Sequence, residues 1–463
     1  MTEQPRNLSI GSNLKIGLFH LGSGMADIIA TGIWNRVMIS DLGFNATPIG
    51  LLVALRYFLA PVGIWVGRIS DRRAIFGYQR LFWVWLGRLM MAFSIAALGM
   101  TTASLLRGAD RNDPMIWVVM VISLLLFSLG TAISGGTFLA LIYDRASTSQ
   151  RGRAVGIVWT FLLVGFTVGG ILFGVMLPED ANDGVTGLAY SPETLQNLFL
   201  YAALILAFIW FISLVGEERR RKSGPIVQEE TATSKPSSML HDLSLAWNNR
   251  QTRFFFWYLA LSMLFAFSQD LILEPFAADV FEMPVRVTTR FSAYWGSMSI
   301  LGTIAFLFLG RRYKSLTNTK MSYIGVAILI LTFGLLAFSS FADIRGLVTP
   351  ALITLGLGLG FWNVGTLGLM MDMSPFGQAG TFLGFWTLVV TLARGAGVSG
   401  GGILRDLFLS TPFGANDHGI AYGLVFLIGT IGLVVTFWAL TQIKLTVKEE
   451  TKDAEQVFVG ALD

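Results

Sequence analysis

The chain has 463 residues, of which 54% are hydrophobic and 13% charged. Soluble domains carry about 25% charged residues, so a soluble enzyme is excluded and a polytopic membrane protein is indicated, built from apolar segments near ~20 residues. The net charge of +4 is small and the basic residues stand in short clusters between apolar runs, which gives nucleic-acid binding no support. The absence of cysteine excludes disulfides, thiolate metal sites and Cys nucleophiles.

The N-terminus, MTEQPRNLSIGSNLK, has no signal-peptide core, so the first hydrophobic helix is expected to insert and stay. About twelve spans of bilayer length are expected, near 15–38, 48–66, 81–101, 115–142, 154–177, 196–216, 254–275, 291–309, 320–341, 348–371, 380–403 and 419–442. The first is the weakest, because it contains Lys15, His20, Asp27, Asn35 and Arg36. Its neighbours make sense only if it spans too.

After the second span comes GRISDRR (67–73), which resembles the G-x-x-x-D-R signature of the major facilitator superfamily. Gly67 is expected to let two helix ends approach closely. Asp71, followed by Arg72, is expected to accept hydrogen bonds at a neighbouring helix N-terminus while paired with Arg. The usual Gly-Arg continuation is replaced by Arg73-Ala74-Ile75.

The longest polar stretch, 217–253, begins EERRRKSGPIVQEETATSKPSS and reads as a linker. It divides the spans six and six. The expected organisation is all-α: an N-terminal six-helix bundle (1–216), a cytoplasmic linker (217–253), a C-terminal six-helix bundle (254–443) and a cytoplasmic tail (444–463). Loops after even-numbered spans are basic, with Arg68, Arg72, Arg73 and Arg80, then Arg145, Arg151 and Arg153, then Arg219 to Lys222, then Arg311, Arg312, Lys314 and Lys320. These loops and both termini are therefore expected to be cytoplasmic; the loop 372–379, with no basic residue, is a mild exception. The halves echo each other. An offset of 243 places Asp27 on Asp270 and Gly67-Arg68 on Gly310-Arg311, and one of 227 places Trp159-Thr160 on Trp386-Thr387. Two related bundles, as in the major facilitator fold, are expected.

The seventh span ends in FSQDLILEPF (267–276). In a continuous helix Asp270 and Glu274 share one face, and Pro275 ends or kinks it. At 1.5 Å per residue Asp270 lies about 24 Å along that span, and Asp27 about 18 Å along the first. A charge at the bilayer centre costs about 2.5–3.5 kcal/mol on insertion scales. These acids therefore read as a polar or protonatable site, or as a buried ion-pair lock, or as acids wetted near an outer mouth. Arg56, Arg88 and Arg394 are the intramembrane basic partners; the glycines of TLARGAGVSGGG beside Arg394 open space for a ligand or another helix. The acid expected opposite Arg394 is Asp372 or another carboxylate. Arg36 is open to two readings, a planar bidentate contact and a headgroup anchor. His20 is the one histidine within a span; it reads as a ligand for a chlorin magnesium or as an ordinary hydrogen-bonded side chain. No zinc pattern, Walker A motif or catalytic triad is present, so no enzyme and no metal site is expected. The aromatic content, with 36 Phe and 13 Trp, suits lipid-facing belts and also a flat apolar ligand.

GIWNRVMISDLG (32–43) resembles the N-R-V-M-I-x-E-L-G segment of the PucC/LhaA family, with Asp41 at the usual Glu. QDLILEPFAADVFEMPVRVTT (269–289) resembles its Q-D-x-L-L-E-P-Y-G-G segment, departing at Phe276, Ala277 and Ala278. FWNVGTLGLMMDMS (361–374) and GGILRD (401–406) resemble two more of its segments. That family is a branch of the major facilitator superfamily from phototrophs. The resemblance implies an assembly factor for light-harvesting antenna complexes in a photosynthetic membrane, carrying (bacterio)chlorophyll as cargo. It implies antenna polypeptides, pigment-synthesis enzymes and membrane lipid as partners. Asp27, Asn35, Arg36, Asp270, Glu274 and Arg394 are the candidates for ligand, partner or coupling roles. The alternatives are a proton-coupled secondary transporter of a small solute and a pigment-free membrane scaffold.

Overall fold

The computed structural model describes residues 8–147, 150–178, 190–220, 224–225, 250–313, 315–373, 379–415 and 417–443. They are almost wholly helical, as a bilayer requires of a chain whose backbone groups must pair within each segment. The helices are α1 (Ile10–Asp27), continued by π-helical turns at Ile28–Trp34 and Val37–Asp41, α2 (Ala46–Phe58), α3 (Ala60–Arg72), α4 (Leu81–Leu106), α5 (Pro114–Arg145), α6 (Arg151–Met176) and α7 (Pro192–Ile212). After these follow α8 (Arg250–Ala266), α9 (Leu273–Phe281), α10 (Val285–Thr289), α11 (Phe291–Arg312), α12 (Asn318–Phe341), α13 (Val348–Met373), α14 (Ala379–Leu409) and α15 (His418–Thr441). One two-residue antiparallel pairing joins Arg73–Ala74 to Gly224–Pro225.

Local signals set the helix starts. Ser9, Asp113, Ser191, Thr317 and Asp417 each accept a backbone N–H of the first turn, and Pro114 and Pro192 stand at first positions, where no N–H is missed.

Eleven helices among the described residues are long and apolar enough to cross a membrane; the chain is a multi-pass membrane protein. The expected seventh span departs from the sequence reading. It is not one helix over 254–275: α8 stops at Ala266, residues 267–272 form consecutive turns, and α9 begins at Leu273. Pro275 is part of the cause. It offers no N–H and its ring crowds the carbonyl four residues back, so Leu271 loses its helical donor and the helix is weakened there.

The chain divides into two compact units. The first holds the described residues of Met1–Ala30 and Phe58–Glu230, and the second Thr31–Tyr57 with the described residues of Thr231–Leu445. The hairpin formed by the end of the first span and most of α2 thus packs with the C-terminal helices. Both crossings fall at irregular backbone: the π segment Ile28–Trp34, and Leu59, which separates α2 from α3 with φ −87° and ψ 3°.

In the first unit α1 packs on α6, and α4 on α5 and α7. Contact is close because a Cβ on Gly24 would overlap the Leu162 carbonyl, and one on Gly165 the Leu21 carbonyl. The end carrying GRISDRR is organised by buried Arg80. It pairs with Asp71 and with Asp144 at 3.0 Å, and donates to Ser70. Burial alone would lower the Arg80 pKa; Asp144 and Asp71 outweigh it and hold it above the ordinary arginine value. The α4 N-terminus is capped not by Asp71 but by Glu218, which accepts from the N–H groups of Gln79, Arg80 and Leu81 at 2.6, 3.0 and 2.8 Å. Glu217, 5% exposed, pairs with Lys15 and Arg145 at 3.1 and 3.3 Å. Both acids stand where composition starts the linker; they are structural. A Cβ on Gly67 would meet nothing within 4 Å among the described residues. Arg72 is exposed.

In the second unit α13 packs on α11 and α12, α15 on α12 and α8, and α14 on α8. A Cβ on Gly397 would overlap the Leu264 carbonyl, and one on Gly401 the Ser268 carbonyl. The glycines after Arg394 therefore admit a helix, one of the two occupants that the sequence left open.

Candidate functional site: a polar lock around an interrupted helix

The offset of 243 that maps Asp27 onto Asp270 has a structural counterpart. The first span turns π-helical immediately after Asp27, and the seventh breaks at 267–272 around Asp270. Interrupted helices at corresponding positions of two halves are where this class of fold builds polar sites.

Within the second unit, the segments 32–43 and 269–289 are bonded to each other. The Leu271 carbonyl, left without a helical donor by Pro275, accepts the Asn35 Nδ2 at 2.7 Å. Asn35 is fully buried, and its Oδ1 accepts the Arg36 N–H at 2.8 Å. Arg36 is 6% exposed; its guanidinium pairs with Asp41 and donates to the Met283 carbonyl at 3.2 Å. Met283 follows Glu282, which turns the chain out of α9 with φ +52°. Burial of Arg36 excludes the headgroup-anchor reading; the planar fork serves two acceptors at once.

Asp270 pairs with Arg394 at 3.0 Å, and Gln269 Nε2 donates to its other oxygen at 2.6 Å. The Arg394 guanidinium lies 4.1 Å from the Phe267 ring centre and 5.2 Å from that of Tyr57. The partner of Arg394 is thus Asp270 rather than Asp372, which accepts from Asn318 at 3.0 Å. Glu274, in the first turn of α9, is 6% exposed and its Oε2 has no hydrogen-bond partner. Asp270 and Glu274 do not lie on one helical face, because the break separates them. Arg56 is buried and stacks on Tyr57 at 4.8 Å.

A second group, which sequence reasoning missed as a site, continues the lock. Asp406 caps α2, accepting from the Ala46 and Thr47 N–H groups at 3.0 and 2.7 Å. Arg405 bridges Asp406 and Asp279, each at 3.0 Å, and donates to the Tyr422 hydroxyl at 3.1 Å. Tyr422 donates to Asp279 at 2.6 Å. The signal was present in GGILRD, but nothing in the sequence said which helix N-terminus Asp406 would cap.

The remaining candidates lie in the first unit. His20 stacks on Phe138, ring centres 5.0 Å apart, with Trp159 edge-on at 5.8 Å. Asp27, at the end of α1, is the acid whose charge acts on Arg88. No group of His and carboxylate side chains able to hold a metal ion occurs among the described residues. Chemically, the lock fixes backbone and charge in one arrangement, and Glu274 is its acid with an unoccupied oxygen.

Comparison with known proteins agrees with this anatomy. The chain is 26% identical over 405 residues to Protein PucC of Rhodovulum sulfidophilum, covering 86% of each chain. It is 29% identical over 423 residues to the Bacteriochlorophyll synthase 44.5 kDa chain of Rhodobacter capsulatus, covering 89% of this chain and 90% of that one. Among solved structures it resembles a bacterial homolog of the human lysosomal transporter Spinster, with TM-score 0.67, 13% identity and coverage of 94% and 97%. It also resembles a D-xylose-proton symporter, with TM-score 0.64, 13% identity and coverage of 96% and 99%. The fold is that of the major facilitator transporters. The PUCC protein family model matches residues 33–447, which takes in every residue of the lock and leaves His20 and Asp27 outside; the chain belongs to that family.

Proposed function

We propose that the protein is an assembly factor for light-harvesting antenna complexes in the membrane of a phototrophic bacterium. It holds (bacterio)chlorophyll and delivers it to antenna polypeptides, with both termini cytoplasmic, and performs no chemistry on the pigment itself. The observation that carries the reading is the family match over 33–447, together with the bonding of its two most recognisable segments through Asn35–Leu271 and Arg36–Met283. The names of the relatives support the pigment setting. The test is affinity purification from the native host, with an absorption spectrum and identification of bound polypeptides. Chlorin and antenna polypeptides are expected to co-purify; a colourless preparation without them would refute the reading. One observation favours a second reading: Glu274 is a buried carboxyl with an unpartnered oxygen in a transporter fold, as a proton-coupled carrier requires. Uptake of a solute into proteoliposomes driven by a pH gradient, abolished in Glu274→Gln, would replace the first reading with this one.

A further inference from the structure

The first unit holds a cation that the lock does not use. Arg88, seven residues into α4, is 5% exposed. Its guanidinium lies against two rings, 4.2 Å from the centre of Phe19 and 4.8 Å from that of Trp210. Nη1 donates to the Met91 sulfur at 3.2 Å, a weak acceptor, and Nε has no partner. No carboxylate among the described residues is hydrogen-bonded or ion-paired to it; Asp27 acts on it through its charge alone. Two further buried nitrogens stand beside it without partners: Trp210 Nε1 and His20 Nδ1. Phe19 and Phe138 stack at 3.9 Å, His20 lies on Phe138, and Trp159, 53% exposed, stands edge-on to His20. Buried polar atoms in native proteins are nearly always satisfied, so orphans clustered in one place call for a water, an ion or a ligand.

We infer that Arg88 and the rings around it form a binding site for a flat, apolar molecule that carries a carboxylate. With Nη1 engaged, the buried Nε edge of the guanidinium is without a partner, and that edge of the fork matches a carboxylate bidentately. Trp210 Nε1 supplies a further donor, and Phe138, His20 and Trp159 supply flat apolar walls. The site rests on the pigment reading only for its porphyrin probe; the carboxylate preference rests on Arg88.

The test uses the full chain in lipid nanodiscs and reads energy transfer from tryptophan to a bound ring. 1-Pyrenebutyrate is compared with 1-pyrenebutanol, and protoporphyrin IX with its dimethyl ester. The acid is expected to bind at least tenfold more tightly than its neutral counterpart. Arg88→Met, which keeps the volume and removes the fork, should bring acid and neutral probe within twofold of each other. Arg88→Lys keeps the charge and should retain part of the preference, which separates lost recognition from lost folding. Oleate, a carboxylate without a flat body, should compete at least tenfold less well than pyrenebutyrate. Equal binding of acid and alcohol in the wild type, an unchanged preference in Arg88→Met, or equal competition by oleate would each overturn the inference. If pyrenebutyrate shows the preference and porphyrin does not bind, the site stands and the pigment is not its ligand.

Discussion

The bond between Asn35 and the Leu271 carbonyl makes a quantitative claim about Pro275. Leu273 N–H bonds to the Gln269 carbonyl at 3.0 Å and Phe276 N–H to the Ile272 carbonyl at 2.8 Å. These i to i−4 bonds flank position 275, so an N–H at 275 would point at Leu271. Proline has none, and Asn35 Nδ2 fills the gap from another helix. A side-chain hydrogen bond in a membrane protein averages about 0.6 kcal/mol, because groups released by mutation find other partners. Here the carbonyl has no helical donor to fall back on. Asn35→Ala is therefore expected at the level of an unsatisfied buried group, about 1–3 kcal/mol. Pro275→Ala restores the missing N–H and should relieve that loss. In a double-mutant cycle the pair is expected to couple by about 1 kcal/mol, above the roughly 0.3–0.5 kcal/mol within which independent sites add. Reversible unfolding in mixed micelles with rising sodium dodecyl sulfate measures all four corners. Additive losses would refute the idea that Asn35 stands in for the donor that Pro275 lacks.

Arg36→Lys should destabilise nearly as much as Arg36→Ala, because an ammonium cannot serve Asp41 and the Met283 carbonyl as the planar fork does; breaking a buried pair costs about 3–5 kcal/mol, and a lysine variant with wild-type unfolding would oppose this. Asp406→Ala removes the α2 cap and a partner of Arg405, for an expected loss of about 0.5–2 kcal/mol from the cap; the same micelle titration reads it. Gly401→Ala should cost about 1–3 kcal/mol by overpacking against the Ser268 carbonyl. Gly67→Ala, with open space around it, should stabilise α3 by about 0.5–1 kcal/mol; a loss at Gly67 would mean that the signature glycine holds a contact after all.

Much of the architecture was legible in the sequence because it rests on hydropathy and length, which a bilayer reads directly. The facilitator fold followed from span count and internal echo. The residues of the lock were legible as types: Asn35, Arg36, Asp270, Glu274 and Arg394 are polar where polarity is costly. Their pairings were not. Nothing in a one-dimensional pattern says that Arg394 meets Asp270 rather than Asp372, or that Asp406 caps a helix 359 residues away. The break at 267–272 was hidden because its flanks are as apolar as any helix, and Pro275 alone is compatible with a mere kink. Glu217 and Glu218 were misread because local charge density looks the same in a linker and in a clasp.

The assignment of Thr31–Tyr57 to the second unit bears on how the chain is made. Asn35 and its acceptor are 236 residues apart, and Thr47 and its cap 359. During synthesis the hairpin enters the bilayer when none of those partners exists. Domains generally form as units during synthesis, N-terminal first, but here completion of the earlier segment waits for the last third of the polypeptide. Until GGILRD emerges, the α2 N-terminus is uncapped in lipid, and until Leu271 and Met283 emerge, Asn35 and Arg36 have only local partners. A ribosome stalled in the linker therefore carries a half-chain with exposed polar groups at the end of its first hairpin, a form that membrane quality control would degrade. Supplying residues 250–463 as a separate polypeptide should protect it by supplying the partners of the hairpin.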